Sequence, residues 1–142
     1  MSPVVRNILA AIAGIVVGSV VNMALVTIGP SVIPAPPGAD VTTAEGLRAS
    51  IALFTPRNFV FPFLAHSMGT LAGAFVVAKF AASHHLKFAM AIGVFFLAGG
   101  ITAVVMFGGP LWFTMTDVLL AYLPMGYLGA ELAGRTSVER AV

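Results

Sequence analysis

The sequence predicts an all-α integral membrane bundle of four transmembrane helices in a single domain spanning 1–142, with a short amphipathic surface helix in its first loop. Three observations predict it. Of the 142 residues 59% are hydrophobic and only 8% charged, against about 25% charged in a soluble domain. Mean hydropathy is +1.03. Four apolar stretches recur, each close to the ~20 residues that cross a bilayer, with segments rich in Gly, Pro or charge between them.

The first stretch, about 4–28, carries Arg6 near its start and exceeds the ~7 to 15 apolar residues of a cleaved signal peptide, so a retained helix is expected. Its residues Ala11, Gly14, Gly18 and Asn22 fall on one stripe, a face suited to close helix contact. Gly29 and Pro30 are expected to end it. The outer loop, 29–58, then turns to Pro34, Pro36, Pro37, Gly38 and Asp40, a composition of turns and extended chain. Within the loop, Thr42 and Glu45 have the spacing of a capping box, and Leu47, Ile51 and Phe54 recur on one face before Pro56. The expected short helix lies on the membrane surface, as a cover for the bundle's outer end or as a lid or docking element.

The second crossing, about 59–81, organises the rest. At 100° per residue Pro62, His66, Gly69, Thr70, Gly73 and Val77 form one stripe. That stripe is expected to face protein, because glycines four apart admit a second helix and a histidine in hydrocarbon needs a partner. Gly69 and Gly73 are expected to meet Gly14 and Gly18. A polar turn with Ser83, His84, His85 and Lys87 forces a hairpin into the third crossing, about 86–107, whose Ala91, Phe95, Ala98, Gly99 and Thr102 lie on one side, the expected close-packing face with its one interior hydroxyl. Both histidines of that turn are expected to be solvated.

Gly108, Gly109 and Pro110 make the next turn, and the fourth crossing, about 111–133, starts with Trp112 as an interfacial anchor. Asp117, Ala121, Pro124, Leu128 and Glu131 make its inward stripe, with a kink at Pro124. On the opposite side, Gly126 and Ala130 offer a second contact face. The polar tail, 134–142, is expected to fray. Arg6, Lys79, Lys87, Arg135 and Arg140 fall on one side of this arrangement and Arg48 and Arg57 on the other. Both termini are therefore expected in the cytoplasm.

The loop segment IPAPPGAD, the segment GLRASIALF and the helical AHSMGTLAGAFVVAK resemble those of an uncharacterised family of small bacterial four-helix integral membrane proteins. The likeness spans nearly the whole chain. It implies a setting in the bacterial inner membrane and brings no activity or ligand with it.

Counting from the helix ends places Asn22, His66, Thr102 and Asp117 at similar depth, roughly 8 to 11 Å below the outer surface at ~1.5 Å per residue. With Thr70 they form a candidate polar layer or ligand-binding site. As glue, each interhelical hydrogen bond adds about 0.6 kcal/mol. As a site, His66 and Asp117 hold a proton, ion or small polar solute, because ionisable groups are costly inside a membrane. Metal is not expected, since His84 and His85 belong to the other side, and no cofactor is implied. The chain has no cysteine, no phosphate-cradling loop, and no serine with a well-placed base, so an enzyme is not expected. A net charge of +2 without a basic tract argues against nucleic acid. The first expectation is thus a structural or interaction protein with the lipid bilayer around it, a homo-oligomer or an accessory subunit beside other membrane proteins. The alternative is a small ion, proton or polar-solute pathway through the His66/Asp117 layer.

Overall fold

The computed structural model describes residues 1–136, and over them the chain is helical and free of strands. In order come α1 (Pro3–Val32), α2 (Ala44–Ser50), α3 (Val60–Phe80), α4 (His85–Phe107), α5 (Leu111–Leu120) and α6 (Leu123–Leu132), with 3₁₀ turns at Ile51–Leu53 and Pro56–Phe59. Three stretches, Pro3–Val32, Pro56–Phe80 and His85–Phe107, are long and apolar enough to cross a membrane. Arg140 and the tail from residue 137 onward lie outside the described residues.

The expected fourth crossing is not one kinked helix. It is two helices of 10 residues each, and the reason lies around Pro124. A proline inside a helix leaves the carbonyl four residues back unpaired, here that of Leu120, whereas in a first turn its missing N–H costs nothing. The chain takes the second arrangement. Ala121 makes the last bond of α5, its N–H on the Asp117 carbonyl at 2.9 Å, and Gly126 opens α6 with its N–H on the Tyr122 carbonyl at 2.8 Å. Between them Tyr122 leaves helical geometry, at φ −120° and ψ −77°. The break also changes which side faces inward. Pro124, Leu128 and Glu131 are exposed, while Gly126, Gly129 and Ala130 are buried, so Gly126 and Ala130 are consumed inside the bundle and are not a spare face.

Two boundaries shift for local reasons. Gly29 and Pro30 do not end α1, which runs on to Val32 and closes when the Ile33 N–H reaches the Gly29 carbonyl at 2.8 Å. Gly29 is instead a contact point, since a Cβ there would sit 2.7 Å from that of Phe61. The cap of α2 is Thr43 and not Thr42: the Thr43 hydroxyl accepts from the Gly46 N–H at 2.9 Å. Thr42 turns back to Asp40, giving its N–H and O–H to Oδ1 at 2.9 and 2.6 Å.

These bonds, the Thr42 hydroxyl first, hold the Asp40 carboxyl below its ordinary pKa of 3.8. A depressed carboxylate stabilises its surroundings at neutral pH and stops doing so as pH falls through its folded value. The Thr42 amide resonance is therefore expected to titrate below 3.8, and the Asp40→Asn variant to lose that titration. A midpoint at or above the ordinary value would refute the turn.

Packing is inverted relative to a soluble bundle. The core is mostly alanine and glycine: α1 buries Ala10, Gly14, Gly18 and Gly29, and α3 buries Ala65, Gly69, Gly73, Ala74 and Ala78 among others. Large side chains such as Ile8, Val20, Val105, Leu119 and Leu132 point outward. α1 and α3 cross antiparallel at two glycine pairs. A Cβ on Gly14 would lie 2.7 Å from the Gly73 carbonyl oxygen, and one on Gly18 2.7 Å from that of Gly69. Backbone contact this close is open only to glycine. Phe96 of α4 closes the crossing from the third side, against Gly18 and Gly73.

At the end of the bundle that carries the N-terminus, the start of α1 grips the α3–α4 turn. Arg6 Nε donates to the Phe80 carbonyl at 2.8 Å, Asn7 Nδ2 donates to Ser83 Oγ at 3.1 Å, and the Ala82 N–H donates to Asn7 Oδ1 at 2.7 Å. His85, expected to be solvated, caps α3 instead: its Nδ1 lies 2.9 Å from the Ala78 carbonyl, which can only accept, so Nδ1 carries the proton. His84 is exposed and left-handed at φ 51°.

Candidate functional site: a buried carboxylate at a helix break

His66 stands on α3 six residues from its start and Asp117 on α5 six residues from its start, about 9 Å along each helix at ~1.5 Å per residue. Both are toward the end of the bundle opposite the N-terminus. His66 Nδ1 lies 2.9 Å from Oδ1 and 2.9 Å from Oδ2 of Asp117. The Tyr122 hydroxyl donates to Oδ2 at 2.8 Å, and the Tyr122 ring stacks on the His66 imidazole with centroids 5.8 Å apart. The Asp117 side chain is only 2% exposed, against 23% for His66. A carboxylate so enclosed must have its lone pairs occupied, and here an imidazole and a phenol occupy them.

The helix break makes this possible. Asp117 and Tyr122 are five residues apart, a spacing that points them to different sides of a continuous helix. Leaving the helix at Tyr122 turns the phenol back toward Asp117. Gly100 on α4 supplies the room, for a Cβ there would fall on the Tyr122 hydroxyl. Gly100→Ala is thus expected to displace the Tyr122 ring and hydroxyl together and cost about 1 to 3 kcal/mol by overpacking, whereas Gly99→Ala, with nothing within 4 Å of its Cβ, should cost little. Thermal unfolding of the two variants in detergent checks this, and an equal loss in both would refute the contact.

Not all the candidate residues meet. Thr70 is fully buried, but its hydroxyl donates to the His66 carbonyl at 2.7 Å, so it belongs to the backbone under the site. Asn22 is half-buried and packs beside Gly69, where a Cβ would sit 3.0 Å from its own; it makes no hydrogen bond with His66 or Asp117 among the described residues. Thr102 is no part of the layer. It is exposed, with its hydroxyl folded onto the Ala98 carbonyl of its own helix at 2.8 Å. Ser67 likewise donates to the Phe63 carbonyl at 2.7 Å and not to its neighbour His66. The residue that sequence reasoning missed is Tyr122. Its available signal was a phenol within an apolar helix, two residues before a proline, with a glycine-bearing helix to receive it.

The tautomer follows from the partners. Carboxylate oxygens that already accept from Tyr122 take the Nδ1–H of His66, which leaves the Nε2 lone pair free when the ring is neutral. Every enclosed side-chain nitrogen and oxygen among the described residues has a hydrogen-bond partner. His66 Nε2 has none, and it therefore opens to the surroundings of the bundle. A proton arriving at Nε2 makes an imidazolium whose charge lies 2.9 Å from the Asp117 oxygens. Among the described residues no three His, Asp or Glu side chains converge as metal ligands.

Nearer the helix starts, Phe59 packs on Phe113 and Trp112 with centroids 4.6 and 5.5 Å away, and on Phe54 at 5.8 Å. Comparison of the chain with protein-family models, with curated proteins and with solved structures finds no match.

Proposed function

We propose that this chain is a bacterial inner-membrane protein of four crossings, the fourth made jointly by α5 and α6, and that it passes a proton or small polar solute by way of His66 and Asp117. The membrane reading is supported by the inverted packing, since Ala and Gly inside with Ile, Leu, Val and Phe outside suits a solvent of hydrocarbon. Arg6, Lys79, Lys87 and Arg135 gather at one end and Arg48 and Arg57 at the other, a charge bias that supports a cytoplasmic side for both termini.

One observation carries the functional reading: a buried carboxylate holds His66 by Nδ1 while Nε2 stays open. An intramembrane histidine with one nitrogen outward can exchange a proton, and the paired Asp117 offsets the charge that exchange creates. In proteoliposomes carrying an internal pH dye, the protein is expected to dissipate an imposed proton gradient faster than empty liposomes. Asp117→Asn should remain folded and lose that flux. Equal flux from both proteins would overturn the reading.

A second reading, association with a second copy or with another membrane subunit, is favoured by α4. Its Ala91, Phe95, Ala98, Gly99 and Thr102 stripe was expected inside, yet it lies exposed, with open space beside Gly99. Native mass spectrometry in mild detergent tests it; a strictly monomeric, partner-free protein would count against association.

A further inference from the structure

The loop and α2 bridge the outer ends of α1 and α3, and beneath the bridge runs a slot of about 240 Å³. Val26 and Pro30 of α1 and Phe61 of α3 wall its lower part, and Val41 and Leu47 close it from above. Val26 lies six residues short of the end of α1 at Val32, so the slot reaches ~9 Å down the bundle at ~1.5 Å per residue. Val26, Pro30 and Val41 are also exposed, which leaves the slot open along one side. Polar bonds pin the bridge. Asn58 Nδ2 donates to the Pro34 carbonyl at 3.0 Å, and its Oδ1 accepts from the Thr55 N–H and O–H at 2.9 and 2.7 Å. The buried Ser50 hydroxyl accepts from the Asp40 N–H at 2.9 Å. These bonds hold the bridge in place without an apolar side chain reaching down into the slot.

We propose that the slot takes one acyl chain of an anionic phospholipid of the outer leaflet, with the phosphate held by Arg48 and Arg57. The proposal rests on the membrane reading above and is independent of the proton site. The lining selects the chain. Its side chains are apolar apart from Asn58, whose amide is engaged by Pro34 and Thr55, so water finds few partners there and hydrocarbon is favoured. The slot also runs as an acyl chain does, from the loop at the surface down along two membrane helices. The charges beside it select the head. Arg48 follows the lining residue Leu47, Arg57 precedes the lining residue Asn58, and both are exposed. Among the described residues the one ion pair joins His66 to Asp117, so neither arginine is matched by a carboxylate. Of the two acids in the loop, Asp40 is occupied by Thr42 and Thr43, and Glu45 sits in the first turn of α2, where the helix dipole favours it. Two unmatched guanidinium forks suit the oxygens of a phosphate. α2 is thereby one wall of a lipid site as well as a cover.

The test uses the full chain in vesicles of equimolar phosphatidylglycerol and phosphatidylcholine, with a photoreactive group on the acyl chain of first one lipid and then the other. Labelled residues are mapped by mass spectrometry after irradiation. Phosphatidylglycerol is expected to label Leu47 and Phe61 several-fold more than phosphatidylcholine does, while the outward Ile8 and Val20 take both lipids alike. Ala35→Phe and Val41→Phe each put a ring into the slot from a lining position, and each should remove the label from Leu47 and Phe61. Arg48→Gln with Arg57→Gln should keep the slot labelled and bring the two lipids level. Equal labelling by both lipids in the native chain means adventitious bulk lipid only and overturns the site. So does a label that persists in a filling variant with the native unfolding temperature, or a neutral isoprenoid found on the purified chain in place of phospholipid. A preference that survives loss of both arginines overturns the headgroup assignment. Label on Ile8 and Val20 with none in the slot removes the lipid site alone, whereas no label on any of them removes the membrane reading with it.

Discussion

Replacing His66 with leucine is expected to destabilise the bundle by about 3 to 5 kcal/mol, because it strands a buried carboxylate with half its partners. Asp117 keeps the Tyr122 hydroxyl at 2.8 Å and loses both 2.9 Å contacts with the imidazole. The instructive comparison is the double variant, His66→Leu with Asp117→Leu. Removing both members of a buried pair is often nearly neutral, since the desolvation cost of each charge disappears with the attraction between them. The double variant should therefore be more stable than His66→Leu alone, a large non-additive coupling in a double-mutant cycle. Reversible unfolding in mild detergent gives the four free energies. Additive losses would mean that the two residues do not depend on each other.

Gly73→Leu is the second large effect. A Cβ at this position would lie 2.6 Å from the Gly14 carbonyl oxygen and 3.2 Å from Ile92 Cγ2, so the new side chain meets backbone on α1 and a core side chain on α4 together. Neither can turn aside. The cost is expected at the upper end of the range for overpacking, about 3 kcal/mol, and chemical crosslinks between α1 and α3 should weaken with it. Gly99→Leu is the matched control, for nothing lies within 4 Å of its Cβ, and its effect should stay within about 0.5 kcal/mol. Similar losses from both would mean that the crossing does not set the cost.

How far these features could be read from the sequence depends on what each one rests on. The glycine crossing is periodic: Gly14 with Gly18 and Gly69 with Gly73 declare a face by spacing alone, and antiparallel chain direction then decides which glycine meets which. His66 and Asp117 could be placed at one level by counting from helix ends, because helical rise is constant. Phase was harder. On α4, small residues and a hydroxyl occur on two sides, Gly93 and Gly100 inward and Gly99 and Thr102 outward, and composition does not say which set meets protein. Tyr122 escaped because a single break in backbone geometry redirects it. Pro124 signalled a disturbance, but not that the chain would restart the helix before it and so turn Gly126 and Ala130 inward. The caps differed for a similarly local reason: Thr42 and Thr43 are both able to cap, and Asp40 takes one of them.

The grip of Arg6 and Asn7 on the α3–α4 turn bears on the order in which the protein can be built. These bonds join residues 74 to 76 positions apart in the chain. At about 5 to 20 residues per second of synthesis, roughly 4 to 15 s separate the appearance of Asn7 from that of Ser83. For most of that interval the glycine face of α1 has no glycine face to meet. α1 is thus among the last of these helices to be fixed in place, and its glycine face must be sheltered through that wait. A ribosome stalled just short of the α3–α4 turn should hold α1 accessible to helix-directed crosslinkers, and one stalled beyond it should not.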